Sequence, residues 1–195
     1  MNRFVAINPG RCIGCGTCQA ACSEGHKREG LQEAPRLSLV TTKDISAVVT
    51  CHQCEGSPCL LVCPVNAISN DEGFIHINEQ TCIGCKLCAI VCPFGAIKPS
   101  GTSVAGVAGV KYATPTFSAS LDPLLRWEVG VYTRAIKCDM CSYDPRGPHC
   151  VSACLTNALS VVDSSVIKKT HAEKQVRAAV GNDAAMENMS SIRRK

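Results

Sequence analysis

Aromatic side chains make up only 4% of this 195-residue chain, with a single tryptophan, so rings cannot supply the bulk of a core. Hydrophobic residues reach 46%, but that figure includes 16 cysteines, and without them about 38% remains. The ordinary apolar core is therefore thin. No run of twenty apolar residues occurs. The longest charge-poor stretch, 99–121, is interrupted by Lys111 and rich in Gly, Ser, Thr and Pro, which reads as an irregular loop and not as a membrane span. Also missing are a Gly-x-Gly-x-x-Gly nucleotide fingerprint and a P-loop, and no catalytic constellation is visible. The opening Met1-Asn2-Arg3-Phe4-Val5 has no apolar export segment and no twin-arginine signal, which sets the expectation of a cytoplasmic protein, reaching the inner face of the membrane only through partners. Net charge is small as well. The formal +4 lies wholly in 168–195, where seven Lys or Arg meet three acids. That tail has no aromatic residue to stack on bases and no basic cluster beyond Arg193, Arg194 and Lys195, so nucleic-acid binding is not expected.

What is abundant is cysteine, in four groups of four with none left over: Cys12, Cys15, Cys18, Cys22; Cys51, Cys54, Cys59, Cys63; Cys82, Cys85, Cys88, Cys92; and Cys138, Cys141, Cys150, Cys154. The third group, with Pro93 after its last cysteine, has the C-x-x-C-x-x-C-x-x-x-C-P spacing with which bacterial ferredoxins hold a cubane cluster. Three cysteines within seven residues wrap a loop around one face of a cluster, and Gly14, Gly16 and Gly84 let backbone amides approach the sulfurs. The fourth cysteine follows the third by one helical turn, a rise of about 6 Å, and in two-cluster ferredoxins it ligates the neighbouring cluster. Exchange of that kind forces clusters to be neighbours, which is a path for electrons.

Two other metal or thiol chemistries compete. Four zinc sites would also use sixteen thiolates, but zinc modules set two short Cys-x-x-Cys pairs far apart and need neither a third cysteine nor a following proline. Eight disulfides would suit a small secreted scaffold, which this chain does not resemble in length or opening. Colour separates the first alternative, a zinc-organised binding scaffold, since iron–sulfur protein is brown and bleaches on reduction.

Three groups share an ending: Cys63-Pro64-Val65-Asn66-Ala67-Ile68, Cys92-Pro93-Phe94-Gly95-Ala96-Ile97 and Cys154-Leu155-Thr156-Asn157-Ala158-Leu159. They read as repeats of one unit. Strand-like runs at 4–7, 47–50, 74–77 and 159–162 flank the groups. The expected fold class is α+β: two ferredoxin-like two-cluster domains, one inserted in the other, with irregular loops and a short C-terminal helix or tail. The inner domain is 45–98, the split outer domain 1–44 with 135–163, the bridging loop 99–134, and the basic tail 164–195. Within the bridge, Trp127 reads as a packing anchor. In the tail, Val166, Ile167, Ala172, Val176, Ala179 and Val180 predict a short amphipathic helix over about 164–180, with fraying from Asn182 onward.

The start Met1 to Val5, the run Cys51-His52-Gln53-Cys54-Glu55 through Ile68, the run Cys82-Ile83-Gly84-Cys85-Lys86-Leu87-Cys88 through Ile97, and Lys137-Cys138-Asp139-Met140-Cys141 together resemble the four-cluster iron–sulfur subunits of formate hydrogenlyase and hydrogenase-4. The similarity covers 1 to about 162. The cysteine pattern is shared with a wider family of electron-transfer subunits of molybdenum or tungsten oxidoreductases. The resemblance implies four 4Fe-4S clusters, held by Cys12, Cys15, Cys18 with Cys154; Cys138, Cys141, Cys150 with Cys22; Cys51, Cys54, Cys59 with Cys92; and Cys82, Cys85, Cys88 with Cys63. It also implies a non-catalytic relay from a molybdopterin-bearing formate dehydrogenase catalytic subunit to hydrogenase subunits. A reductase of the dimethyl sulfoxide or polysulfide type, or a free polyferredoxin, are the alternatives.

Departures from the pattern set further expectations. Leu155 replaces the proline and Ser23 follows Cys22, so the outer groups are expected to differ in backbone contacts to sulfur. The spacing between Cys141 and Cys150 is long for a motif. With four cysteines available per cluster, His52 and His149 read as surface or supporting imidazoles and not as iron ligands, and Lys86 reads as solvated.

Overall fold

The computed structural model describes residues 1–71, 73–103 and 132–192. The architecture is α+β and built from four antiparallel strand pairs: β1 (Phe4–Ile7) with β8 (Leu159–Val162), β2 (Ser38–Thr41) with β3 (Ser46–Val49), β4 (Ile68–Asp71) with β5 (Phe74–Ile77), and β6 (Lys98–Ser103) with β7 (Tyr132–Ile136). Helices α1 (Thr17–Arg28), α2 (Pro58–Leu61), α3 (Leu87–Val91) and α4 (His149–Ser152) follow the cysteine loops, and α5 (Ser164–Ile192) ends the described chain.

Two-stranded pairs cannot stand alone in water; here β4 packs on α2 and β8 on α4, while Ala135 of β7 meets the loop of Cys82. The β1–β8 pair joins the two ends of the cysteine region in the register Phe4↔Val162 to Ile7↔Leu159. Around it, Val5, Leu159, Leu37, Val48 and Phe74 bury a first core together with Cys18, Cys22 and Cys150. A second core gathers Ile68, Ile75, Ile77, Ile97 and Ala135 with Cys59, Cys82 and Cys88. Helix α1 is the longest of the loop helices and closes at Gly30, where Leu31 N donates to His26 O at 2.9 Å, with His26, Lys27 and Arg28 in its last turn favouring the negative end of the dipole.

Four strands match the expected runs to within a residue, and β2, β4, β6 and β7 are additional. Both ends of the segment expected to be an irregular bridge, 99–134, are strand. Pro99 and Gly101 made 98–103 read as loop, and the pair tolerates them through a register shift between those two residues. Trp127 lies outside the described residues. The tail also differs: α5 runs 29 residues, well past Asn182, instead of a short helix. Asp163 starts it, its Oδ1 accepting from Ser165 N (2.8 Å) and Val166 N (3.0 Å), and the alanine-rich sequence carries it on. From 164 to 181 every residue of α5 is exposed, and among the described elements the helix touches only β8 to any extent.

Candidate functional site

Each cysteine group is shaped by the same two backbone devices. Two residues after the first cysteine, the chain adopts a left-handed conformation, at Gly14 (φ 71°), Gln53 (φ 51°), Gly84 (φ 70°) and Met140 (φ 60°). This turn aims the next cysteine back toward the first. The third cysteine is then the second residue of a helix in all four groups: Cys18 in α1, Cys59 in α2, Cys88 in α3 and Cys150 in α4. At Cys18, Cys59 and Cys88 burial disfavours the thiolate, and the nearby amide of the next residue works against that effect.

The repeated ending has an equally local cause. Asn66 (φ 51°), Gly95 (φ 60°) and Asn157 (φ 51°) are left-handed, as these residue types tolerate, and each turns the following alanine amide onto the last cysteine of its group. Ala67 N donates to Cys63 Sγ at 3.3 Å, Ala96 N to Cys92 Sγ at 3.4 Å and Ala158 N to Cys154 Sγ at 3.2 Å. Leu155 in place of proline therefore leaves that contact intact, contrary to the sequence-based expectation. Cys22 does differ: Ser23 continues α1 in place of a turn, and the sulfur takes its amide from Arg36, 14 residues on, at 3.4 Å.

The groups exchange members in space. Cys12, Cys15 and Cys18 line a small cavity, partly open to solvent, together with Cys154. Cys82, Cys85 and Cys88 line a second together with Cys63. Burial, with Cys51 and Cys92 close by, raises the Cys54 thiol in the third gathering, and burial, with Cys138, Cys22 and Cys141 close by, raises the Cys150 thiol in the fourth. All sixteen cysteines are free, and only Cys15 and Cys85 are exposed.

Burial raises many of these thiols: Cys88 and Cys141 to about 11, Cys138 to about 12 and Cys150 further up. As bare thiols they hold their protons at neutral pH, so a metal group entering must displace protons. Apolar-walled cavities, four convergent sulfurs and amides already aimed at sulfur fit a thiolate-ligated iron–sulfur cluster, whose charge such amides offset.

His52 is exposed and stacks on Phe94 with ring centroids 3.9 Å apart. His149 packs over Gly25 and faces Asp144 at 3.4 Å. Lys86 is exposed and borders the second cavity. Sequence reasoning missed a buried network. His26 Nε2 meets both oxygens of Asp139 at 3.1 Å, and its Nδ1 lies 2.7 Å from Cys22 O. Arg36 pairs with Glu79 at 2.6 Å and with Asp139 at 3.8 Å. Burial disfavours the His26 imidazolium, but the Asp139 and Cys22 contacts outweigh it and raise the group to about 9. The Asp139 carboxyl is held well below the usual range by His26 and Arg36 against the effect of burial. Lys137 and Gln53 are also fully buried. No local signal marks these residues, because their partners lie far away in the chain.

Among the described residues, no helix is long and apolar enough to cross a membrane.

Strand pairs braced by loop helices, with sulfurs gathered under amide donors, define a ferredoxin-type protein of the 4Fe-4S class. Residues 3–24 and 75–98 each match a family described as 4Fe-4S binding domain. The chain is 50% identical over 188 residues to hydrogenase-4 component A of Escherichia coli (strain K12), covering 92% of this chain and 91% of that one. It is 46% identical over 181 residues to formate hydrogenlyase subunit 2 of the same strain, covering 90% and 89%. To electron transport protein HydN of that strain it is 35% identical over 189 residues, covering 92% and 99%. The chain belongs to the iron–sulfur protein family of hydrogenase-4 component A and formate hydrogenlyase subunit 2.

Proposed function

We propose that this chain is a non-catalytic relay subunit that carries four 4Fe-4S clusters and passes electrons from a molybdopterin-bearing formate dehydrogenase catalytic subunit to a hydrogenase, on the cytoplasmic side of the membrane. The observation that carries the reading is the gathering of Cys12, Cys15 and Cys18 with Cys154, and of Cys82, Cys85 and Cys88 with Cys63, in separate cavities. By the same logic Cys51, Cys54 and Cys59 take Cys92, and Cys138, Cys141 and Cys150 take Cys22. A 4Fe-4S cluster, when bound, supplies one-electron redox chemistry tuned by its hydrogen bonds and exposure. The chain's own residues space the sulfurs, shield them and present amides to them. The inner unit is 45–98 and the outer unit joins 1–44 to 135–163, a reading supported by the β1–β8 pairing. The two units lean on each other, since Phe74 enters the first core and Ala135 the second. The names of the relatives support the choice of partners.

Anaerobic affinity purification from native cells tests both halves of the reading. The expected result is about 16 iron atoms per chain and co-purification of formate dehydrogenase and hydrogenase subunits, identified by mass spectrometry. Recovery with a different molybdenum reductase would overturn the partners, and a colourless protein containing zinc would overturn the relay.

A further inference from the structure

Lys137, next to Cys138, is the largest fully buried side chain among the described residues, at 1% exposure. Its Nζ donates to Cys138 O at 2.8 Å, to Gln53 Oε1 at 3.3 Å and to Ile75 O. All three acceptors are neutral. Among the described residues the buried carboxylates are engaged elsewhere, Glu79 with Arg36 and Asp139 with His26 and Arg36, and none pairs with this ammonium. An ammonium withdrawn from water without a counter-charge is unfavourable, so negative charge has to come from another source. Members of two cysteine groups adjoin it: Lys137 immediately precedes Cys138, whose carbonyl oxygen its Nζ meets, and Gln53, which accepts from the same Nζ, donates its backbone amide to Cys51 Sγ.

Gln53 ties this cation to both sides. Its backbone N donates to Cys51 Sγ at 3.4 Å, its Nε2 donates to Cys138 O at 2.7 Å, and its Oε1 accepts from Ile75 N at 2.8 Å as well as from Lys137. The Lys137–Gln53 pair thus forms a buried joint between the group beginning at Cys51 and the group beginning at Cys138. Lys137 lines neither the cavity around Cys12, Cys15, Cys18 and Cys154 nor that around Cys63, Cys82, Cys85 and Cys88.

We propose that Lys137 is a buried counter-ion common to the cluster sites at Cys51, Cys54, Cys59 and at Cys138, Cys141, Cys150, raising the reduction potential of both and leaving the other two sites unaffected. The inference rests on the cluster reading given above. Reduction adds an electron to a thiolate-ligated, anionic centre, and a fixed cation in a medium of low polarity favours the more negative state. One charge between two sites moves both potentials in the same direction, which keeps an electron from being trapped at either.

The test is a redox titration of the anaerobically purified full-length chain, followed by electron paramagnetic resonance, on the wild type, Lys137→Gln and Lys137→Arg. The expected result is that two of the four midpoint potentials fall in Lys137→Gln while two stay, and that Lys137→Arg keeps all four near wild type. Unchanged potentials in Lys137→Gln, or equal shifts at all four centres, would overturn the proposal. If Lys137→Gln fails to retain its iron, the arginine variant decides. Full iron content there shows that charge is what the site requires, whereas loss in both variants shows a role in shape alone and refutes the counter-ion. Wild-type protein lacking iron would instead refute the underlying cluster reading.

Discussion

A left-handed residue two positions after the first cysteine recurs in all four groups, yet glycine fills it in only two of them. At Gly84 the requirement is double. Its φ is 70°, and a Cβ there would collide with the carbonyl oxygen of Thr133 on β7. Gly16 has a similar φ of 75° but open space around it. Gly84→Ala should therefore cost on the order of 3 kcal/mol and Gly16→Ala about 1 kcal/mol. Anaerobic guanidinium denaturation of the two iron-loaded variants measures the difference, and equal losses would mean that β7 moves aside. At this scale the cysteines were fully legible in the sequence, because ligand spacing is a local property. The left-handed turns were legible at Gly14 and Gly84 but not at Gln53 and Met140, whose side chains give no such sign. Buried charge was not legible at all: Lys137 meets Gln53 and Ile75 across 84 and 62 residues, and His26 meets Asp139 across 113.

Among the elements, the strands rich in branched residues, such as Phe4–Ile7 and Phe74–Ile77, announced themselves, while Lys98–Ser103 was hidden by its proline and glycine. The length of α5 was hidden as well, since from 164 to 181 it is exposed throughout, and its capping and its alanines favour it without a buried stripe to announce it. Its start gives a pH prediction. Hydrogen bonds from Ser165 and Val166 lower the Asp163 carboxyl below its usual value, so the cap's contribution is complete above the ordinary carboxylate range and is lost as pH falls through the lowered value. Amide hydrogen exchange in the first turn of α5 should accelerate in that acid window, and Asp163→Asn, which keeps a capping oxygen without the charge, should remove the pH dependence. An unchanged pH profile in that variant would place the sensitivity elsewhere.

For the whole molecule, three of the nine buried residues in each core are cysteines, so the clusters and the packing are not separable. Stripping iron with a chelator and an oxidant should abolish the strand signal in circular dichroism and leave a chain that aggregates. Retention of the strand signal would mean that the apolar residues suffice. Cys88→Ser, which removes one sulfur from the second cavity, should stop formate-dependent hydrogen production while dye-linked activity of each catalytic partner persists. Undiminished hydrogen production would count against an obligatory linear relay.

The β1–β8 pairing has a consequence for timing. Strand β1 waits for β8, which lies beyond all four cysteine groups, and Cys12, Cys15 and Cys18 wait for Cys154 to share their cavity. At about 5–20 residues per second, the ribosome leaves the first group incomplete for on the order of ten seconds after it emerges. During that interval Cys51 to Cys92 are all present and free to accept iron, so maturation should run from the middle of the chain outward, with the earliest thiols exposed longest to oxidants.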